Sequence, residues 1–408
     1  MAQDIDELVG SLTDPAVDPG EVLIKEVRQR RRRRRLRNLA IALAVIATGV
    51  SLAVVTHGTP PRSVANSSSK SPTGTPVNYL TSSYIRQPTS LAPAPNGGLY
   101  IADVARQQIL ERSPNGSVSV IAGTGSAGLT GDGGPAVRAD LDDPGSLAVA
   151  PDGALFFTQV GLVQFKSGPF MGLTTSVIRE ITPNGIIHTV AGLHPNCPAA
   201  GRYPSSMPAE AAEMYGASIF IGASGAIDIR ANSCPDVTNF GPFLQLTPAG
   251  TLVKSPLDSI TASAVDCGNA ASGSRFTAFE CESGGGHGPE LLVVRQNGST
   301  LTYPTIGQGN GGITSSRGEV VAAFNGSVVR VTSEVLKTIF SASQLLNVAP
   351  DSSLRAGTNG LALDSAGNVF LAPDFYLRHA GGCEAMIIEI LKSGGTRTLW
   401  RLNSRLCY

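Results

Sequence analysis

Residues 98–123 contain three short β-rich motifs: Gly98-Leu-Tyr-Ile-Ala-Asp103, Gln108-Ile-Leu-Glu-Arg-Ser-Pro-Asn-Gly116 and Ser119-Val-Ile-Ala-Gly123. The same motifs return in changed form as Gly153-Ala-Leu-Phe-Phe157, Val177-Ile-Arg-Glu-Ile-Thr-Pro-Asn-Gly185 and His188-Thr-Val-Ala-Gly192. Asn-Gly turns allow the positive φ that a tight hairpin needs. The chain therefore repeats a unit of short strands joined by glycine turns, and this repetition is its strongest fold signal.

Six such units can be followed along the chain. Their approximate boundaries are 86–123, 145–192, 215–258, 259–306, 311–342 and 356–404. Meandering units of three or four strands and this length are typical of propeller blades, which bury both apolar faces by packing radially. We therefore predict an all-β, six-bladed β-propeller over residues 78–408. Two separate β-sandwiches are the alternative, which the absence of a linker between the units disfavours.

The first two units resemble NHL-repeat β-propellers of bacterial surface proteins. The resemblance rests on Leu99–Asp103, Ile109–Gly116 and the long linking segment with Gly131-Asp-Gly-Gly-Pro135; it is good over residues 86–192 and fair in the last unit. It implies six blades around a central channel, with loop surfaces used for recognition. Relatives of this appearance include extracellular sensor domains, adhesion modules and some lyases or lactonases, so the resemblance does not define one activity.

Charge is concentrated near the N-terminus. The chain of 408 residues carries 31 basic and 31 acidic side chains, and eight arginines lie between Arg28 and Arg37. The rest of the chain is nearly neutral, which argues against nucleic-acid binding by the large domain. A nucleic-acid arm or a nuclear address is the other interpretation of the arginine run. Its position directly before an apolar segment favours a role in membrane topology.

Residues 39–56 carry no charge and are long enough, at about 1.5 Å per residue, to cross most of a bilayer's hydrocarbon core. We predict a single-pass transmembrane helix there, with the N-terminus in the cytoplasm and the propeller on the extracytoplasmic side of the cell membrane. The predicted organisation is a cytoplasmic segment (1–38), the helix (39–56), a Pro/Ser/Thr-rich spacer (57–77) and the propeller (78–408). A cleaved signal peptide competes with the helix, but its charged region would be unusually long.

All six cysteines lie in the part of the chain predicted to be outside the cell. An even number of cysteines in an oxidising compartment is typical of disulfides. Their order along the chain predicts three local pairs: Cys197 with Cys234, Cys267 with Cys281, and Cys383 with Cys407. A metal cluster is the alternative, and the lack of any CxxC spacing disfavours it.

The run Gly123-Thr-Gly-Ser-Ala-Gly128 matches the GxGxxG dinucleotide fingerprint and follows a predicted strand. The next residues, Leu129–Pro135, are too rich in glycine to begin the helix whose N-terminus would hold a pyrophosphate. We expect instead a tight connection between two blades, in which Asp132 caps backbone amides through an Asx-type turn.

Metal-site candidates are weak. Three histidines from different units would have to converge to bind Zn²⁺: His194, His287 and His379. Four carboxylates could in principle contribute to a Ca²⁺ site of the lactonase type: Asp103, Asp228, Asp364 and Asp374. None of them lies in a matching motif, and we expect Asp103 and Asp364 to bind turn amides instead. We predict no cofactor, with Ca²⁺ or Zn²⁺ as the alternative.

Two insertions are the preferred candidates for ligand contact. Residues 165–173 are apolar and rich in turn residues, whereas residues 374–379 are aromatic and charged. Exposed aromatic and basic side chains are favoured interface anchors, which gives as candidates Phe165, Lys166, Phe170, Phe375, Tyr376 and Arg378. We expect a membrane-tethered recognition scaffold, without catalytic activity, that binds a protein, peptide or glycan. The alternatives are a metal-dependent lyase or lactone hydrolase, and a sensor whose cytoplasmic segment contacts a regulatory partner.

Overall fold

Short alternating runs of apolar and polar residues form the strands of this protein, and glycine turns separate them. The structure is a computed structural model. It describes residues 84–164, 174–192, 206–222, 224–232, 240–261, 267–282, 289–304, 312–324, 327–348, 353–376 and 383–404. The chain divides into two units, residues 1–69 and 70–408, and all described residues belong to the second.

The described residues form six antiparallel sheets; five of them have four strands that follow one another in sequence, and the sheet of blade 3 has a fifth strand. Blades 1 and 2 comprise β1 (Pro88–Pro93), β2 (Leu99–Asp103), β3 (Gln108–Arg112), β4 (Val118–Ala122), β5 (Leu147–Val149), β6 (Leu155–Gln164), β7 (Thr174–Ile181) and β8 (Ile187–Ala191). Blade 3 comprises β10 (Tyr215–Ile221), β11 (Ile227–Asn232), β12 (Phe240–Leu246) and β13 (Thr251–Lys254), with the short β9 (Ser206–Pro208) added outside β13.

The remaining three blades follow the same order. They comprise β14 (Cys267–Ser272), β15 (Phe276–Glu282), β16 (Pro289–Arg295), β17 (Thr300–Pro304), β18 (Gly312–Ser316), β19 (Glu319–Phe324), β20 (Ser327–Val331), β21 (Leu336–Phe340), β22 (Ser353–Leu363), β23 (Val369–Tyr376), β24 (Cys383–Ile390) and β25 (Thr396–Ser404). The helical segments are short: two α-helices, Pro256–Thr261 and Ala342–Val348, and three 3₁₀ turns, Val104–Arg106, Ala136–Arg138 and Ala209–Ala211.

The repeated Pro-Asn-Gly sequence sets the hairpin geometry. In the turn between β3 and β4, the amide of Gly116 donates to the carbonyl of Ser113 (2.9 Å), and Gly116 has a φ of +91°. Proline favours the first central position of such a turn, and glycine adopts the left-handed conformation after it without steric cost. Gly185 repeats this arrangement between β7 and β8, with a φ of +79°.

Six apolar cores hold the blades together, one between each pair of neighbouring blades. Residues of blades 1 and 2 share one core, and the blade pairs 2 and 3, 3 and 4, 4 and 5, and 5 and 6 share the next four. The sixth core joins blade 6 back to blade 1, where Trp400 and Ile387 pack with Leu91 and Ile101. The cores therefore form a closed ring, and the prediction of a six-bladed all-β propeller is confirmed.

Two connections between blades cover the outer strand of the blade that follows. Residues between β4 and β5 pair with β8, where Pro135 bridges to Ile186, and β9 pairs with β13, where Pro208 lies opposite Thr251. Each proline is followed by a buried alanine and a 3₁₀ turn. Edge coverage of this kind satisfies backbone groups that an outer strand otherwise exposes.

Cys267 and Cys281 lie opposite each other on β14 and β15 and are joined in a disulfide. Cys197, Cys234 and Cys407 lie outside the described residues, and Cys383 begins β24. The predicted transmembrane segment 39–56 also lies outside them. Within the described ranges, no helix is long and apolar enough to span a membrane.

Candidate binding surface

The propeller has two unlike ends, which follow from the alternating direction of its strands. At one end, which we call the turn face, first strands lead into second strands and third strands into fourth strands. Every connection there has five residues or fewer; the run 94–98 is one of the longest. At the other end, the loop face, second strands lead into third strands and each blade leads into the next. The connections there include the runs 123–146 and 192–214.

Contacts between neighbouring blades show that equivalent turns lie at the same end. Pro95 of blade 1 lies beside Gly153 of blade 2, and Pro151 of blade 2 lies beside Gly225 of blade 3. Between blades 4 and 5, the amide of Ser274 donates to the carbonyl of Gly318 (3.1 Å). The first strands of these blades therefore run in the same direction, and their irregular connections gather on the loop face.

The first strands of the six blades surround a central channel with a volume of about 300 Å³. Its lining alternates hydroxyl groups, among them Ser90, Ser146 and Thr314, with apolar groups such as Leu147 and Ile313. Among the residues that the structure describes, no lining side chain carries a charge. The described part of the channel wall thus offers hydroxyl, backbone and apolar contacts.

The serine hydroxyls of the channel wall connect adjacent blades. Ser90 Oγ accepts a hydrogen bond from the amide of Leu147 (3.0 Å). Ser146 Oγ accepts from the amide of Ile219 and donates to the carbonyl of the same residue, both at 3.1 Å. The sequence analysis missed this role, although its signal is visible: Ser-Leu-Ala recurs at 90–92 and 146–148.

Asp364 binds turn amides, as expected from the sequence, whereas Asp103 binds amides of the segment that enters β1. The carboxylate of Asp103 is fully buried and accepts from the amides of Arg86 (2.7 Å) and Gln87 (3.1 Å). Burial raises the pKa of Asp103, and the two amides oppose that rise. Asp364 accepts from the amides of Ala366 and Asn368. Both carboxylates serve the local fold of their blades.

Asp228 lies at the second strand of blade 3 and is almost fully buried. Gln245 Nε2 donates to its carboxylate at 3.4 Å. Burial raises the pKa of Asp228, against the hydrogen bonds from Ser255 and Gln245. Asp374 lies in β23, and its side chain is not among those that the structure describes.

The segment with the GxGxxG pattern is the expected connection between blades. Arg179 of β7 is completely buried and holds it: its guanidinium donates to Asp132 Oδ1 (2.7 Å), to the carbonyl of Thr130 (2.8 Å) and to the carbonyl of Asp140 (3.2 Å). Asp132 also accepts from the backbone amide of Thr189 (3.0 Å). The Asx-type turn expected at Asp132 is therefore wrong: its amide partner is Thr189 on the outer strand of blade 2, while the amide of Gly134 donates to the carbonyl of Gly131.

The carboxylate of Asp140 organises the start of the same segment. Thr124 and Thr130 donate to its two oxygens at 2.6 Å and 2.8 Å. These hydrogen bonds, followed by the positive charge of Arg179, lower the pKa of Asp140. Hydrogen bonds between polar side chains of the segment itself thus hold its conformation.

The sequence analysis missed a second copy of this connection. Pro135-Ala-Val-Arg-Ala-Asp-Leu141 and Pro208-Ala-Glu-Ala-Ala-Glu-Met214 share a proline, two buried alanines and a buried apolar residue at the same spacing. The second copy lacks the glycine-rich stretch that marks the first. The signal that the two connections share is the spacing of proline and alanine, which the search for glycine-rich motifs did not detect.

Four of the six predicted ligand-contact residues stand in sequence between strands that end and begin at the loop face. The run 165–173, which holds Phe165, Lys166 and Phe170, joins β6 to β7, and the run 377–382, which holds Arg378, joins β23 to β24. Both runs lie outside the described residues. Phe375 and Tyr376 are the last two residues of β23, and their backbones pair with Leu354 and Ser353.

The three histidines proposed as weak metal ligands, His194, His287 and His379, lie outside the described residues. His188 is described, and it lies opposite Glu180 on β7. Burial raises the pKa of Glu180, and the nearby His188 lowers it. Within the described ranges, no group of three or more His, Cys, Asp or Glu side chains is placed to hold a metal ion.

Comparison with solved structures places this chain among proteins of similar architecture. A gluconolactonase from Xanthomonas campestris is 13% identical, with 73% of this chain and 85% of that chain covered and a TM-score of 0.44. A virginiamycin B lyase from Staphylococcus aureus is 12% identical, with 76% and 83% covered and a TM-score of 0.38. An aldose sugar dehydrogenase from Streptomyces coelicolor is 14% identical, with 75% and 94% covered and a TM-score of 0.43.

Neither a protein-family model nor a curated protein matches the sequence. The likenesses to solved structures are too distant to carry an activity to this chain. The strands, the six cores and the channel define a six-bladed β-propeller in which one face carries only short turns and the other carries the long connections.

Proposed function

We propose that this protein is a recognition propeller that binds a protein, peptide or glycan through its loop face. The observation that carries this proposal is the difference between the two faces. Connections longer than five residues leave from one face only, while turns of five residues or fewer join the strands at the opposite face. Binding residues are often found on loops that a rigid scaffold positions, and six packed cores supply such a scaffold here.

The proposed ligand-contact residues are Phe165, Lys166 and Phe170 between β6 and β7, Phe375 and Tyr376 at the end of β23, and Arg378 directly after it. Aromatic and arginine side chains contribute most to binding energy at protein interfaces. Asp103, Asp364 and Arg179 already form hydrogen bonds within the fold. This indirectly supports placing the ligand contacts on the loops instead of on these polar groups.

A binding measurement tests this proposal. The full wild-type chain is applied to an array of peptides and glycans. Two variants are measured on the same array: the double variant Phe170→Ala/Arg378→Ala in the loop-face connections, and the control Arg275→Ala in an exposed turn of the turn face. We expect the loop-face variant to lose at least about tenfold in affinity, or ~1.4 kcal/mol, and Arg275→Ala to bind as wild type. Equal losses in both variants would contradict a loop-face site.

The proposed location is the outer face of the cell membrane, with residues 39–56 as a single-pass anchor, residues 57–77 as a spacer and the propeller as an NHL-type ectodomain. The arginine run before the anchor supports this topology, and the Cys267–Cys281 disulfide fits an oxidising compartment. Protease added to intact cells should remove a C-terminal tag and leave an N-terminal tag intact. The reverse pattern would reject the topology.

Catalysis is the competing function, as a metal-dependent lyase or lactone hydrolase. Incubation of the purified chain with aldonolactones and cyclic depsipeptides, each with added Ca²⁺ or Zn²⁺, tests it directly. We expect no turnover above the rate without protein. Turnover that a chelator abolishes would establish the enzyme and reject the purely binding role. The sensor alternative predicts that residues 1–38 retain a cytoplasmic partner in a pull-down.

A further inference from the structure

The wall of the central channel is not the same all the way round. Blades 1, 2 and 3 carry a serine at one equivalent position of this wall: Ser90, Ser146 and Ser218. Each serine stands directly before the apolar residue that pairs with the second strand of its blade, in the pairs Leu91 with Ile101, Leu147 with Phe157, and Ile219 with Ile229. Three equivalent hydroxyl groups therefore follow one another around half of the ring.

Two of these three serines are used to join neighbouring blades. Ser90 Oγ accepts from the amide of Leu147 (3.0 Å), and Ser146 Oγ bonds to the amide and the carbonyl of Ile219 (both 3.1 Å). The hydroxyl of Ser218, by contrast, forms no hydrogen bond with any residue that the structure describes. Ser218 thus has the position of a bridging serine without its bridge.

Blades 6 and 1 meet without a serine. Gly360 of β22 takes the equivalent position, and a Cβ built on it would lie 2.8 Å from Leu91 Cγ and 3.1 Å from the amide nitrogen of Leu91. The backbones of the two first strands therefore approach each other closely. Together with the two serine bridges, this contact holds the first strands of blades 6, 1, 2 and 3 side by side.

The free hydroxyl groups lie in the remaining sector of the channel, from blade 3 to blade 5. Ser218 lines the channel from β10, and Thr314 and Ser315 line it from β18. All three residues are half-buried, and within the described ranges none of their hydroxyls has a hydrogen-bond partner. Between them β14 contributes only the small side chains of Ala270 and Ala271. This sector combines unused hydroxyl groups with small neighbours that leave room.

The chemistry of the sector restricts its ligand. A hydroxyl group donates one hydrogen bond and accepts two, so it matches hydroxyl groups of a ligand. No described side chain of the channel wall is charged, and an ion bound there would lose its hydration without gaining a countercharge. The channel volume of about 300 Å³ is at the lower end of the range for small-molecule sites. The ligand is therefore small, uncharged and rich in hydroxyl groups.

We propose that the channel sector formed by β10, β14 and β18 binds an uncharged polyol or monosaccharide. The hydroxyls of Ser218, Thr314 and Ser315 exchange hydrogen bonds with the hydroxyl groups of this ligand. The site is separate from the proposed loop-face site, because its residues belong to first strands inside the ring. Either site can therefore exist without the other.

A ligand-detected NMR titration of the full chain tests this proposal. The neutral probes are D-glucose and myo-inositol, and the charged counterparts are D-glucuronate and D-glucosamine. We expect saturable binding of at least one neutral probe, and at least about tenfold weaker binding of both charged sugars. Absence of saturable binding by both neutral probes, or charged sugars that bind as tightly, would overturn the proposal.

A double variant locates the binding in the channel. Ser218→Ala/Thr314→Val removes two hydroxyls with little change in side-chain size, and we expect it to weaken binding of the neutral probe at least about tenfold. Thr338→Val is the matched control, because Thr338 lies exposed on β21, the outer strand of blade 5; it should bind as wild type. Equal affinity in the wild type and the double variant would reject the channel site.

The loop-face variant Phe170→Ala/Arg378→Ala separates the two proposed sites. Channel binding of the neutral probe should persist in this variant, whereas loss of binding there would assign the sugar to the loop face and reject the channel site. If Ser218→Ala/Thr314→Val does not fold, hydrogen exchange of the wild type with and without the probe decides. We expect slower exchange at Ser218 and Ser315 and unchanged exchange at Gly116; unchanged exchange at all three would reject the proposal.

Discussion

Arg179 joins blade 2 to the connection that precedes it, and its side chain is completely buried. Its guanidinium donates to Asp132 and to two carbonyl groups of the connection between blades 1 and 2. Removing one partner of a buried pair is costly because the remaining polar groups lose their hydrogen bonds. Asp132 is about half exposed, at 49%, and water can therefore replace part of what it loses.

We expect Arg179→Met to lower the free energy of unfolding by about 2–3 kcal/mol. Urea denaturation followed by circular dichroism measures this change. Arg138→Met is the matched control, because Arg138 lies in the same connection but is exposed; it should change stability by less than about 0.5 kcal/mol. A similar loss in both variants would mean that the buried hydrogen bonds of Arg179 contribute little.

Asp103 should make stability depend on pH. Burial raises the pKa of its carboxyl above the ordinary value of 3.8, so the folded chain holds this proton more tightly than the unfolded chain does. Wild type should therefore lose stability relative to Asp103→Asn as pH rises from about 4 through the folded-state pKa, and the difference should then stay constant. Urea denaturation of both proteins from pH 4 to pH 8 measures it. A difference that grows in favour of wild type with rising pH would contradict this sign.

Among the connecting elements, glycine is required where the chain leaves blades 1 and 2. Gly123 follows β4 with a φ of +98°, and a Cβ there would lie 2.4 Å from the carbonyl oxygen of Gln107. Gly192 follows β8 in the same way, 2.4 Å from the carbonyl oxygen of Ser176. The two positions thus need both the left-handed conformation and the absence of a side chain.

We expect Gly123→Ala to cost roughly 2 kcal/mol more in unfolding free energy than Gly185→Ala. Gly185 also has a positive φ, of +79°, but nothing lies within 4 Å of a Cβ built there. An alanine in the left-handed conformation is destabilising in both variants. The difference between their unfolding free energies therefore measures the steric contact with Gln107. Thermal and urea unfolding measure it, and equal costs would show that the backbone relaxes around the new methyl group.

The sequence predicted the blades better than the connections between them. Blade boundaries could be read from turns such as Ser113–Gly116, because each tight turn carries its own chemical signature. The connection at Pro208–Met214 could not be recognised, since its covering role depends on pairing with β13, a strand that lies some forty residues later. The ligand-contact residues also remained a prediction, because contact by loop side chains has no local sequence rule.

At the scale of the whole molecule, the interface between blades 6 and 1 is the one that no chain crosses among the described residues. Trp400, the single tryptophan of the chain, is buried in this core. Its fluorescence therefore reports on ring closure, whereas far-ultraviolet circular dichroism reports on all six sheets. Because each blade needs both neighbours to bury its two faces, we expect the ring to unfold cooperatively.

We expect the tryptophan and circular dichroism transitions of the wild-type chain to coincide in urea. An early tryptophan transition in the wild type would contradict cooperative closure.

The irregular face of this ring is the basis of the proposed binding role, and a hydrogen-exchange footprint tests that role most directly. Exchange is compared with and without a peptide or glycan retained on the array. If the loop face binds the ligand, we expect slower exchange at strand ends of the loop face, such as Gln108 and Thr174. Exchange at turn-face amides such as Gly116 and Gly185 should be unchanged. Protection confined to the turn face would contradict it.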